Sequence, residues 1–206
     1  MQQFKLKSAP TVDFNDRKIY SALNATFFSE VIGSLEDLPI EDYLFWPDGL
    51  GALLVAPTIR RFPGRDLLAS AILDLNAQKK KALLLGGPFD KDKMAEEFSD
   101  FEMIGLGFGT PEELFEQVAE EYIRKSKNKD CVFICIPSPK QDVLAEKLFR
   151  LNPDTNILCI GGAMNMIGGT EVVAPRFVHF IGLEWLWRLR TDTKRRVLRL
   201  AGIFFN

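Results

Sequence analysis

The chain has 206 residues, 47% of them hydrophobic and 26% charged, with a net charge of −2. This is ordinary globular composition, long enough to bury one sizeable core, and its slight acidity excludes a general nucleic-acid binder, which carries a strong basic excess. No run of about 18 uncharged apolar residues exists, so no membrane-spanning helix is expected, and a single histidine, His179, excludes the Cys/His clusters of zinc sites.

Short apolar runs alternate along the chain with longer amphipathic ones. "KIYSALN" (18–24) predicts a strand, "ATFFSEVIGSLE" a helix, and "DYLFW" (42–46) a strand stopped by Pro47, Asp48 and Gly49. Residues 51–80 read as largely helical, broken near Pro57 and again at Pro63 and Gly64. "ALLLGG" predicts a buried strand and "KDKMAEEFSDF" a helix. "EMIGLGFG" then leads into "TPEELFEQVAEEYIRKS", where Thr110 is a candidate N-cap, Pro111 suits the first helical position and Glu113 completes a Thr-x-x-Glu capping box. "CVFICI", the helix "KQDVLAEKLFRL" and the strand "NILCIGG" continue the alternation. Strands and helices at this spacing predict an α/β fold whose mainly parallel sheet is covered by helices on both faces. Cys131, Cys135 and Cys159 lie in its apolar runs and read as reduced, buried thiols, which argues for a cytoplasmic protein.

In such a sheet ligands bind beyond the carboxyl ends of the strands. The residues that follow the predicted strands are Asn24, Asp48 with Gly49, Gly86 with Gly87, Gly107 to Gly109, Pro137 to Gln141, and Gly161 with Gly162. Each glycine or proline alone is explained by a tight turn; their shared placement points to a site, and backbone amides there suit a phosphate-bearing ligand. Neither a P-loop nor a dinucleotide-binding glycine motif follows the first strand. Asp48 is the acid best placed as a general base, although on spacing alone an Asx-turn or a helix cap is the slightly simpler reading. Asp90 and Asp92 form an Asp-x-Asp pair at the start of a helix, where capping is the simpler reading, so no metal is assigned.

Five stretches together resemble the WecG/TagA/CpsF family, glycosyltransferase family 26. "FWPDGLG" resembles its Asp-Gly-x-Gly motif, "RFPGRDLL" its Arg-x-x-Gly-x-Asp-Leu, and "PSPKQD" its Pro-Lys-Gln-Glu. "GLEWLWRL" matches Gly-Leu-Glu-Trp-Leu-x-Arg-Leu, and "DTKRRVLR" follows where the family has Glu-Pro-x-Arg-x-x-Arg. The resemblance implies a Rossmann-like core over residues 1–175 and a helical, basic and aromatic C-terminal appendage over 176–206. It also implies transfer of a sugar, of N-acetylmannosamine type or a related hexose, from a UDP-sugar to a polyprenyl-diphosphate-linked saccharide. Such an enzyme inverts the anomeric centre, needs no metal or cofactor, and works at the cytoplasmic face of the bacterial plasma membrane; self-association is left open. Carried onto this sequence, Asp48 is the catalytic base, and Asn24, Arg61 and Gln141 line the nucleotide-sugar site with Gly86, Gly87, Gly161 and Gly162. Arg188, Arg195 and Arg199 match the arginines of the C-terminal motifs.

The sequence departs from the family at four places. Asp142 stands for the usual glutamate, Asn165 for a common aspartate, Val173 for an arginine, and Ala22 for a frequent threonine. These departures leave the donor sugar open and motivate an alternative, a non-catalytic sugar-nucleotide-binding or scaffold subunit of a polysaccharide assembly complex.

Residues 171–206 hold seven Lys/Arg against three acids in a chain that is slightly acidic as a whole. As one helix, Leu183 to Phe205 would place Arg188, Arg195 and Arg199 in a stripe, able to neutralise a diphosphate through bidentate contacts. Trp187 would join the apolar face, while Trp185, about 200° away from it, would turn toward lipid or a neighbouring subunit. A basic, aromatic segment also suits an interfacial membrane anchor, and a solvated basic helix remains the simplest alternative.

Overall fold

The computed structural model describes residues 11–23, 40–48, 62–87 and 101–163. Six short strands lie in these stretches: β1 (Ile19–Leu23), β2 (Tyr43–Pro47), β3 (Ala82–Gly86), β4 (Glu102–Gly105), β5 (Cys131–Ile134) and β6 (Asn156–Cys159). Three helices accompany them: α1 (Gly64–Ala77), α2 (Pro111–Ser126) and α3 (Lys140–Leu151). The strands form one sheet in the order β2-β1-β6-β5-β3-β4, and every neighbouring pair is parallel.

Both faces of this sheet are covered, which is why its strands read as nearly unbroken apolar runs. Every residue of β1, β2, β3, β5 and β6 is buried; β4, at the edge, exposes two of its four. Successive side chains along a strand point to opposite faces, and the core splits accordingly. On one face Ile19, Leu23, Leu83, Leu85, Val132 and Ile134 meet Leu114, Val118 and Tyr122 of α2 and Leu144, Ala145 and Leu148 of α3. On the other, Tyr20, Trp46, Leu84, Phe133 and Leu158 meet Leu67, Leu68, Ala71, Ile72 and Leu75 of α1.

The connection through α1 runs from β2 across to β3, while those through α2 and α3 run the opposite way along the sheet, from β4 to β5 and from β5 to β6. Crossovers of one hand that travel in opposite directions must lie on opposite faces, as these do. The architecture is the expected Rossmann-like α/β sheet with helices on both sides.

The capping box closes as its spacing predicts. The Glu113 amide donates to Thr110 Oγ1 at 3.2 Å and the Thr110 amide to Glu113 Oε2 at 2.7 Å. Gly109 makes room for it, since an added Cβ would come 2.8 Å from Glu113 Oε2. The helix break expected at Pro63 and Gly64 coincides with the start of α1, and β2 runs one residue further than expected, through Pro47. The helices expected over 25–36 and 91–101, the division at 175/176 and the C-terminal helix fall wholly or almost wholly outside the described residues.

Candidate active site

The carboxyl ends of the strands lie along one edge, tied together by backbone bonds that continue past each strand. The Asp48 amide reaches the Leu23 carbonyl at 3.4 Å, joining the end of β2 to that of β1. The Ile160 amide donates to the Ile134 carbonyl, Cys135 to Leu85, and Leu106 to Gly86, at 3.1, 2.7 and 2.8 Å. At the same edge the Phe62 amide donates to the Pro47 carbonyl at 2.8 Å, which brings the start of α1 beside Asp48. Asp48 is half-buried there.

The glycines of this edge serve its turns. Gly161 has φ of 55° and Gly87 of 129°, conformations that side chains with a Cβ rarely adopt. They are not equivalent in position. Strands in a sheet lie about 4.8 Å apart, so Gly161, two strands from Asp48, sits roughly 10 Å away along the edge, whereas Gly86 and Gly87, four strands away, sit roughly 19 Å away. Gly86 and Gly87 end β3, whose onward connection leads to β4; the adjacent β5 leads the other way, to β6. Such a reversal opens a crevice at the carboxyl edge. An extended ligand, rather than a compact one, would be needed to reach from this crevice to Asp48.

Gln141 occupies the middle of the edge and is 3% exposed. Its amide bridges two loops: Nε2 donates to Ser138 Oγ at 2.7 Å, and Oε1 accepts the Gly161 amide at 2.9 Å. The side chain expected to contact a nucleotide sugar therefore fixes the loop after β6 against the first turn of α3.

Beside it, Asp142 is 1% exposed. Ser21 Oγ, on the α3-facing side of β1, donates to Asp142 Oδ1 at 2.5 Å, and the Tyr43 hydroxyl donates to the Asp142 backbone carbonyl at 3.3 Å. Asp142 Oδ2 has no hydrogen-bond partner. Burial pushes the carboxyl up to about 6, against the pull of the Ser21 and Ser138 hydroxyls, which favour its charged form. Burial likewise pushes the thiols of Cys131, Cys135 and Cys159 up, which keeps them protonated near neutral pH.

Of the residues expected at the site, Asp48, Gln141, Gly86, Gly87, Gly161 and Gly162 lie at this one edge. Asn24, Arg61, Arg188, Arg195 and Arg199 lie outside the described residues, as do Asn165, Val173, Trp185, Trp187, Asp90 and Asp92. Among the described residues, no three His, Cys, Asp or Glu side chains gather as a metal-ligand set, and no helix is long and apolar enough to cross a membrane. Ser21 was missed by the sequence reading. Its signal was a lone hydroxyl in the apolar run "IYSAL", at a position of β1 that shares its face with Ile19 and Leu23. Phe108, between Gly107 and Gly109 at the same edge, was also passed over and is 98% exposed.

A model of the glycosyl transferase WecG/TagA/CpsF family matches residues 41–205. The chain belongs to this family. Two relatives, each named N-acetylglucosaminyldiphosphoundecaprenol N-acetyl-beta-D-mannosaminyltransferase, align with most of it. The one from Bacillus spizizenii (strain W23) is 29% identical over 160 residues, covering 72% of this chain and 61% of that protein. The one from Bacillus subtilis (strain 168) is 23% identical over 189 residues, covering 84% of this chain and 73% of that protein. The chain thus spans about three fifths of the length of the first relative. The WecG/TagA/CpsF match begins just ahead of β2 and takes in Asp48, Gln141 and every described glycine at the carboxyl edge.

Proposed function

We propose that the chain is an inverting, metal-independent glycosyltransferase that moves a hexose, of N-acetylmannosamine type or a close relative, from a UDP-sugar to a polyprenyl-diphosphate-linked saccharide at the membrane surface. Family membership supports the reaction class, and the names of the two Bacillus relatives support the sugar and the acceptor. The observation that carries the reading is the position of Asp48: a half-buried carboxylate at the carboxyl end of β2, beside the end of β1 and the start of α1.

In this mechanism Asp48 takes the proton of the acceptor hydroxyl as that oxygen attacks the anomeric carbon. The bond from the anomeric carbon to the diphosphate oxygen breaks, and UDP leaves with the electron pair. Attack from the face opposite the leaving group inverts the centre. The guanidinium groups of Arg188, Arg195 and Arg199 are proposed to neutralise the charge that grows on the diphosphate, the task a metal ion performs elsewhere. The glycine turns at Gly86, Gly87, Gly161 and Gly162 keep side chains out of the way of an extended donor.

The test is to incubate the protein with a panel of UDP-sugars and a short-chain polyprenyl-diphosphate saccharide, with and without a chelator, and to weigh the products by mass spectrometry. One donor should give a product heavier by one hexose unit, unaffected by chelation. Asp48→Asn should lower the rate by about 10²- to 10⁴-fold, the usual worth of a general base, and leave UDP binding intact. Full activity in that variant would remove Asp48 from the chemistry. Binding of UDP by the wild type without any turnover would favour the scaffold alternative.

A further inference from the structure

A carboxylate sealed from solvent is ordinarily paired with a cation or saturated with hydrogen bonds. Asp142 has neither. Oδ1 accepts from Ser21, Oδ2 has no hydrogen-bond partner, and among the described residues the Ser138 hydroxyl, but no lysine or arginine, favours its charge. It nevertheless sits one residue from Gln141, the side chain that ties the loops after β5 and β6 together.

The hydrogen-bond directions connect the two. Gln141 Nε2 donates to Ser138 Oγ, which leaves the Ser138 proton free to point at the neighbouring carboxylate, whose charged form it favours. Chains of hydrogen bonds that run in one direction strengthen each link. Two of these bonds are closed, Gly161 amide to Gln141 and Gln141 to Ser138; the Ser138 hydroxyl stands beside Asp142 and favours its charge, and Ser21 approaches the carboxylate from β1, 121 residues away in the chain.

We infer that Asp142 is a positioning residue for the donor end of the site: its charged carboxylate, held by Ser21, orients Ser138 and Gln141 and so fixes the Gly161 turn. The inference rests on the glycosyltransferase reading of this edge, and assigns to the buried acid the geometry of the loop that would meet the donor. When Asp142 is protonated, the Ser138 proton loses its acceptor, the donor chain loses its direction, and the hold on Gly161 weakens.

Among the described residues, two other titratable groups lie close to Asp142 on neighbouring strands. Tyr43 on β2 and Cys159 on β6 are both held in their neutral forms by burial. Glu146 and Arg150, further along α3 near Tyr43, pair with each other. Asp142 is the group among these that changes charge close to pH 6.

The experiment is a titration followed by amide NMR of the full chain between pH 5 and 8. In the wild type the Gly161 backbone amide and the Gln141 side-chain amide should shift together with a midpoint near pH 6, and in Asp142→Asn both should stay flat. Ser21→Ala, which removes a donor to the charged carboxylate, should move the midpoint to higher pH. Flat amides in the wild type, or a titration that survives in Asp142→Asn, would overturn the inference. A second arm measures the donor KM of the transfer reaction. It should rise several-fold in Asp142→Asn at pH 7.5, with kcat changed less; an unchanged KM in an active enzyme overturns the inference as well. Absence of transfer by the wild type would count against the glycosyltransferase reading, while the amide titration would still decide the role of Asp142.

Discussion

The two edges of the sheet use their polar residues in opposite ways. At the amino-terminal edge Asn156, Asp130 and Thr155 are spent on closing the fold. Asn156 accepts from the Lys18 amide at 3.0 Å and donates to the Phe14 carbonyl at 2.8 Å. Asp130 takes Lys80 Nζ at 3.0 Å and the Lys81 amide at 2.9 Å. At the carboxyl edge stand a half-buried Asp48, glycine turns, and a buried Asp142 with no cation among the described residues.

Asp130 and Asp142 carry the contrast in one residue type. Burial by itself raises Asp130 too, but the Lys81 amide and the Lys80 ammonium outweigh it and hold the carboxyl below its ordinary value. Asp142 meets two hydroxyls and its own backbone amide but, among the described residues, no cation, and burial wins. One edge ties its carboxylate to cations and backbone amides, and the other, the edge where open parallel sheets ordinarily take ligands, buries one without a cation among the described residues.

The largest effect expected from breaking this division is at the closed edge. Asn156→Ala removes the partners of the Lys18 amide and the Phe14 carbonyl in a site with no solvent access. It should cost about 3 kcal/mol in urea unfolding, with activity per folded molecule preserved. A loss below about 1 kcal/mol would show that the amino edge does not depend on its buried amide.

At the open edge the sign should reverse. Because the folded state raises Asp142 from 3.8 to about 6, it favours the protonated acid. The penalty is absent below the ordinary carboxylate range, grows as pH rises, and is complete above about 6. Asp142→Asn, which cannot ionise, should therefore be more stable than the wild type at pH 8, by up to about 3 kcal/mol, with the gain shrinking toward pH 4.5. Urea unfolding at the two pH values checks it. Stabilisation accompanied by a weaker donor KM would be the trade expected of a strained functional edge. Asp130 should behave oppositely, its stabilising contribution present at neutral pH and lost on acidification.

The smallest effect concerns Thr110, whose capping box closes α2 beside the carboxyl edge. Thr110→Ala should cost about 1 kcal/mol and lower Tm by a few degrees. A calorimetric scan without such a shift would mean that the α2 terminus is held by its packing alone.

Much of the fold could be read from local signals. The runs "ALLLGG" and "CVFICI" are apolar on both faces and so named buried parallel strands, and Thr110, Pro111 and Glu113 named the start of a helix to the residue. Asp48 stood out because it follows such a run and precedes a glycine. Gln141 lies at the expected edge, and its bridge between two loops was not legible in the sequence. Its partners, Ser138 and Gly161, come from two different loops, and no spacing rule relates them.

The sequence by itself determined the alternation of strands and helices, the edge where special residues collect, and the family to which the chain belongs. All three follow from periodicity, capping and motifs, which act over a few residues. The tertiary structure alone decided the strand order β2-β1-β6-β5-β3-β4, hence the wide separation of Gly86 from Asp48, and the meeting of Ser21 with Asp142 across 121 residues. Strand order depends on which crossovers bury the most surface on each face. A buried carboxylate's charge depends on what the fold brings against it. Neither property resides in any stretch of chain short enough to be read alone.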